Sequence, residues 1–208
     1  MMVATATAKH RVSPLRQQIV VAAVEMTARS GWASVTMASL AELVGVSRQT
    51  VYNEVGSKPA LAEAVVLEEL ARFLSVVELA FDQHPDDPIQ SIHDAARGVL
   101  ELARGSALLR AIVSATHGAD TELLPLLTTR SQSLLAAATG LMAERLAPFA
   151  AALDARRFSA AIDVIVRLVL SHVMQPTGTP ADTADDIAWI ASRLLRPEAS
   201  GRAQASRS

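Results

Sequence analysis

The stretch "VSRQTVYNEVGSK", Val46 to Lys58, concentrates polar chemistry in an otherwise oily chain. It holds the only tyrosine and one of two lysines. Arg48 and Gln49 stand side by side. A guanidinium can give paired hydrogen bonds to guanine, and a carboxamide can pair with adenine. Thr50, Tyr52 and Lys58 bring hydroxyl, phenol and ammonium groups suited to phosphate oxygens, and Thr36 and Ser47 are further candidates for DNA contact through their hydroxyls. Each residue also has a plainer reading. Thr36 and Ser47 are adequate helix N-caps, Tyr52 could be half-buried core with a wet hydroxyl, and Lys58 an ordinary solvated charge. Arg48 and Gln49 have little structural work at an exposed helix start.

The elements that must position these groups read as helices. Met1 to Val12 reads as a flexible arm with a basic tip, "KHR". Ser13 is an N-cap and Pro14 takes the favoured first position. Ile19, Ala22, Ala23 and Met26 recur at helical spacing, and Gly31 ends the helix, with Trp32 at the following turn. Thr36 opens a second, short helix with Leu40, Ala41 and Val44 inside, stopped by Gly45. Ser47 caps a third, Arg48 to Val55, which Gly56 ends. Ser57 caps a longer fourth with Leu61, Val65, Leu70 and Phe73 as inner positions. Two short helices joined through Gly45-Val46-Ser47 after a longer one match a helix-turn-helix. Its third helix must be polar outside to enter the major groove and apolar inside to dock on the other two. Val51 and Val55 supply the inner face. Arg48, Gln49, Thr50, Tyr52 and Asn53 supply the outer one.

Composition narrows the rest. The chain has 208 residues, half of them hydrophobic but only 3% aromatic, so its core must be aliphatic. Abundant Ala and Leu with no alternating β-branched runs indicate an all-α fold. Cysteine is absent, which excludes disulfides, thiolate metal sites and a cysteine nucleophile. No signal-peptide segment opens the sequence, and the most apolar stretch, "AAIDVIVRLVLSHVM", is interrupted by Asp163 and Arg167. A cytoplasmic protein with no membrane partner is the simplest reading. Residues 1–58 carry a net charge of +3 and the remainder −5, which suits a protein that touches a polyanion with one end only.

"VTMASLAELVGVSRQTVYNEVGSKPAL" resembles the N-terminal signature of the tetracycline-repressor (TetR) family. The shared frame is Thr36, Leu40-Ala41, Gly45-Val46-Ser47, Thr50, Val51, Tyr52, Ser57-Lys58 and Leu61. The resemblance covers about residues 14–61. It implies base-reading roles for Arg48, Gln49 and Asn53, and phosphate contacts for Thr36, Thr50, Tyr52 and Lys58. Two departures stand out. Asn53-Glu54 replaces the aromatic or His common after the tyrosine, and Val55 replaces an aromatic before Ser-Lys. Glu54, an acid beside a polyanion, should face away and pair with a basic residue. The wording "TVYNEVGSK" also resembles actinobacterial members associated with alkane oxidation, and 17 Arg against 2 Lys agrees with a GC-rich genome.

The expected organisation is an arm at 1–13, a helix-turn-helix domain at 14–58, a larger helical domain at 59–197 and a disordered tail at 198–208. After the break "HPDDP", helical patterns fall at 89–104, 106–115, 121–147, 155–174 and 183–195. The resemblance implies that the last two pair with a second copy in a homodimer. Phe158, Ile162, Ile165, Val169, His172, Ile187, Trp189, Ile190 and Leu194 are the candidate interface, and a monomeric core helix is the competing use. The middle helices would enclose an effector pocket lined by Leu100, Leu108, Ile112, Leu134, Leu135, Leu141, Met142, Phe149 and Val166. His93, Arg97, Ser114, Thr116, His117 and His172 are its polar candidates. So few aromatic rings favour a flexible aliphatic effector, such as a fatty acid, acyl thioester or alkane-like lipid, over a planar drug.

The function expected is a ligand-responsive repressor acting as a homodimer on a palindromic, double-stranded DNA operator. It would be released by a small hydrophobic effector, with no cofactor and no metal. A regulator induced by a different hydrophobic drug-like compound is one alternative. A lipid-binding or interaction module that has lost operator binding is another. An all-α enzyme lacks support, since no zinc-protease motif, nucleophile elbow or phosphate-binding Gly loop is present. "LEEL" at 67–70 reads as a solvated helix face.

Overall fold

Each of the first three helices starts where the sequence offers a capping oxygen. In the computed structural model, which describes residues 13–106, 108–110, 131–152 and 154–196, α1 spans Pro14–Ser30, α2 Met37–Val44 and α3 Arg48–Val55. Ser13 Oγ accepts the Arg16 amide at 3.4 Å. Thr36 and Ser39 exchange reciprocal bonds in a capping box: the Ser39 amide donates to Thr36 Oγ1 at 3.0 Å, and the Thr36 amide to Ser39 Oγ at 3.1 Å. Ser47 Oγ accepts the Thr50 amide at 3.0 Å. Gly45 ends α2 in the left-handed region, at φ 76°. A side chain there would be strained, and the turn lets the Gly45 and Val46 amides both reach the Ala41 carbonyl.

The chain divides into two units, Met1–Glu68 and Glu69–Ser208. Ile19, Ala23, Trp32, Val35, Leu40, Val51, Val55, Leu61 and Val65 are buried in the first. Trp32 is the one aromatic side chain among them and occupies the turn after α1 as a single 3₁₀ turn. Helix α4, Lys58–Gln83, gives its first turns to this unit and the remainder to the second.

The second unit continues with α5 (Pro88–Gly105), α6 (Ser131–Leu146), α7 (Ala155–Met174) and α8 (Pro180–Leu194). Helix α5 packs most extensively on α8, and α7 packs on α5, α6 and α8. Its core is built from Phe81, Ile92, Leu100, Met142, Leu146, Ile162, Ile165, Val166 and Ile187, interleaved with alanines. Small residues let the helices approach. A methyl group added to Gly98 of α5 would lie 2.6 Å from Val76 Cγ1 of α4, closer than carbon atoms pack. Among the described residues no helix is long and apolar enough to cross a membrane.

Three expectations change. Helix α8 begins at Pro180, not 183, because Thr179 Oγ1 accepts the Asp182 amide at 3.1 Å and Pro180 takes the first turn. The "LEEL" face is not solvated throughout. Glu69 is only 4% exposed and accepts the Ser106 hydroxyl at 2.6 Å and Arg72 Nη1 at 3.0 Å. The "APFAAALD" break contains a 3₁₀ helix at Ala147–Ala152. The helical readings at 111–115 and 121–130, the arm at 1–12 and the tail at 198–208 lie outside the described residues.

Candidate nucleic-acid interface

Helix α3 is apolar on one side only. Val51 and Val55 are buried, which turns Arg48, Gln49, Tyr52 and Asn53 outward, all four exposed. These four form two couples one helical turn apart. Arg48 Nη2 donates to the Tyr52 hydroxyl at 3.4 Å, and its guanidinium carbon lies 5.6 Å from the centre of the Tyr52 ring. Gln49 Nε2 donates to Asn53 Oδ1 at 3.0 Å. Thr50 is half-buried, with its hydroxyl 2.8 Å from Ser47 Oγ, so both residues are engaged in capping.

The rim of this face is held from α1 and α4. Arg16 Nη1 donates to the Glu54 carbonyl oxygen, a cation placed at the negative C-terminal end of α3. Glu54 is therefore secured through its backbone, whereas the sequence suggested pairing of its carboxylate. Among the described residues no ion pair to that carboxylate is present. The Lys58 ammonium sits 5.5 Å from the centre of the Trp32 ring. Thr36 is exposed at the start of α2. The arrangement places two cations, hydroxyls and two hydrogen-bonded side-chain couples on one surface. It holds no nucleophile poised beside a base, and no group of carboxylates and imidazoles able to hold a metal occurs among the described residues.

The second unit contains a cavity of about 330 Å³. Its apolar wall is Leu100, Ala103, Leu109, Val173 and Met174. Arg104, Arg110, His172, the segment from Pro176 to Gly178, Pro180 and Thr183 also line it. Arg104 donates to the Gly178 carbonyl, Arg110 Nη1 to the Arg104 carbonyl at 2.8 Å, and His172 Nδ1 lies 3.2 Å from Thr177 Oγ1. Of the expected lining, Leu100 is present. Met142 and Val166 are buried in the helical core instead, and Leu108 is buried without lining the cavity. Leu134, Leu135 and Leu141 are half-buried on α6. Phe149 lines a separate hollow of about 190 Å³ with Phe158 and Leu195. Ile112, Ser114, Thr116 and His117 lie outside the described residues. The "QPTGTP" segment carries no site signal in the sequence because a Pro/Gly-rich stretch reads as punctuation, and Arg104 and Arg110 read as ordinary charges beside a helix end.

His93 and Arg97 stand elsewhere. His93 bridges two helices, with Nδ1 2.7 Å from Asp94 Oδ1 and Nε2 3.1 Å from Asp185 Oδ1, while His84 Nε2 lies 2.8 Å from Asp94 Oδ2. Burial works against ionisation of Asp94. Hydrogen bonds from His93, Gln90 and His84 outweigh it and hold the carboxyl below its ordinary range. Arg97 pairs with Glu101 on the surface.

The expected dimer surface divides in two. Ile162, Ile165 and Ile187 are buried within the chain's own core, so they have no surface to give a partner. Phe158, Val169 and Ile190 are half-buried, and Trp189 and Leu194 are exposed. The other large apolar residues exposed on these helices are Val164, Leu170 and Met174. Asp163 and Arg167 pair with each other at 2.8 Å.

Two family models match the sequence. "Bacterial regulatory proteins, tetR family" covers residues 19–65, and "Bacterial Tetracyclin repressor, C-terminal domain" covers residues 87–193. The chain belongs to the TetR family. It is therefore a helix-turn-helix transcriptional regulator rather than an enzyme. The HTH-type transcriptional regulator AlkX of Mycobacterium tuberculosis is 27% identical over 183 residues, spanning 88% of this chain and 84% of that protein. The crystal structure of the TetR family repressor AlkX from Dietzia sp., implicated in biodegradation of n-alkanes, is 26% identical. It superposes with a TM-score of 0.68, covering 89% of this chain and 99% of that one. The multidrug binding protein EbrR, complexed with imidazole, shares the TetR fold at 17% identity and a TM-score of 0.60, covering 89% of this chain and 97% of that one.

Proposed function

We propose that this TetR-family chain represses transcription as a homodimer on a palindromic operator and is released by a small aliphatic or lipid-like effector. The observation that carries the reading is the outward face of α3, where Arg48 and Gln49 stand exposed at the first turn while Val51 and Val55 alone serve the core. Two-fold regulators place such helices about 34 Å apart, one turn of DNA. The exposed Val164, Leu170, Met174, Trp189 and Leu194 are the surface for the second copy. In the effector cavity, aliphatic side chains make the apolar wall and no Phe, Tyr or Trp is among its described lining residues, which favours an alkyl chain over a stacked planar drug. Arg104, Arg110 and His172 supply polar contacts for one end. The similarity to the Dietzia repressor implicated in biodegradation of n-alkanes points the same way.

Induction requires an effector that binds one state better than the other, since equal affinity for both shifts nothing. Helix α4 is the element through which that preference would reach the reader. The test is fluorescence anisotropy on a duplex selected by the protein from a random-sequence pool. Fatty acids and acyl thioesters of graded length should dissociate the complex at micromolar to millimolar concentration, and planar polyaromatic compounds should not. Release by a planar aromatic compound alone would overturn the aliphatic assignment. Failure to select any sequence would overturn operator binding.

A further inference from the structure

The two couples on α3 assign different work to residues of its first and second turns. Gln49 and Asn53 are both exposed and neither packs against the core. Their one shared feature is the 3.0 Å bond from Gln49 Nε2 to Asn53 Oδ1. A free glutamine on a helix surface samples many rotamers and presents its amide either way round. This bond engages one of the two amide hydrogens. The edge that remains is one N–H beside one carbonyl oxygen. Adenine shows a matching acceptor and donor in the major groove, at N7 and the N6 amino group, whereas guanine shows two acceptors.

We infer that Asn53 is a positioning residue, holding the Gln49 carboxamide for an adenine rather than reading a base itself. The inference rests on the proposed DNA-binding role of α3 and deepens it. It places an A·T pair under Gln49 and makes the preference there depend on a residue one turn further along the helix. The Arg48–Tyr52 couple is built on the same plan, with the ring beneath the guanidinium. Fixing a side chain before binding lowers the entropy lost on contact.

The experiment uses the full chain. A duplex is first enriched from a random-sequence pool by the wild-type protein. Single-base substitutions at every position of that duplex are then measured against wild type, Gln49→Ala, Asn53→Ala and the double variant, with circular dichroism confirming that each is folded. Gln49→Ala should flatten the preference at one A·T pair of each half-site. Asn53→Ala should flatten the same pair by about five- to tenfold and leave other positions unchanged, the range expected for part of a bidentate contact. The double variant should be no flatter there than Gln49→Ala alone. A loss at a different base pair, independent losses in the double variant, or uniform weakening on all sequences would each overturn the inference. If no sequence is enriched at all, the DNA-binding reading falls with it.

Discussion

Arg48 and Lys58 differ in what they can contribute, although both are cations on one surface. Arg48 is at the first turn of α3, held over Tyr52, and under the proposed function its forked donor would meet a base edge. Arg48→Ala should lower discrimination at one G·C pair by about 1–3 kcal/mol. Competition binding against single-base variants checks this, and equal loss on random DNA would contradict it. Lys58, over Trp32, suits a phosphate. Lys58→Ala should weaken all sequences alike and reduce the salt dependence by about one phosphate contact, as read from binding at graded ionic strength. The exposure of Arg48 and the placement of both cations on this surface were legible because residue type and spacing carry them. The Arg16 bond to the Glu54 carbonyl was not, since it joins positions far apart in sequence and uses a backbone atom. That bond ties the end of α3 to α1 through the backbone at position 54 and does not involve the Glu54 carboxylate.

Helices are where the sequence was easiest to read, and where one buried charge escaped notice. Caps and stops at Ser13, Thr36, Gly45, Ser47 and Gly56 gave α1 to α3 their limits. The Thr179-Pro180 start of α8 carries the same signal as Ser13-Pro14, but the neighbouring Pro and Gly disguised it as loop. Glu69 was misread because charge pattern alone does not show which face a long helix buries. Its carboxylate is tied to Ser106 Oγ at 2.6 Å, and the same oxygen accepts the Leu109 amide at 3.1 Å. Ser106→Ala should cost about 2–3 kcal/mol, because it strips a donor from a buried carboxylate and removes a cap. Urea unfolding measures it, and a change below about 0.5 kcal/mol, the size usual at an ordinary surface site, would contradict the assignment. Asp94, bonded to His93, Gln90 and His84 near the start of α5, makes a second test. A carboxyl whose folded pKa is depressed stabilises the fold above its unfolded value of 3.8, and that stability is lost as pH falls through it toward the folded value. Asp94→Asn should therefore flatten the drop in urea midpoint on acidification. An unchanged pH profile would contradict it.

At the scale of the whole chain, the all-α class and a helix-turn-helix ahead of a larger helical domain followed from aliphatic composition and cap spacing. The division of apolar residues between core, cavity and partner surface did not. Helix α7 is apolar on nearly every side, so periodicity could not say that Ile162 and Ile165 face inward while Val164 and Leu170 face out. That sorting predicts the assembly. Trp189, 61% exposed on α8, should be covered in a homodimer. Trp189→Glu should shift the species from two chains to one in light scattering and weaken operator binding, whereas an unchanged dimer would place the interface elsewhere. The proposed function stands on sequence-specific binding through α3. It is tested most directly by anisotropy of the selected palindromic duplex against a scrambled duplex of equal length at about 0.15 M salt, an ionic strength that screens exposed charges beyond ~8 Å. Two chains should bind per duplex, with a preference of about a thousandfold or more that collapses in Arg48→Ala/Gln49→Ala. Equal affinity for both duplexes, or an unchanged preference in that variant, would contradict it.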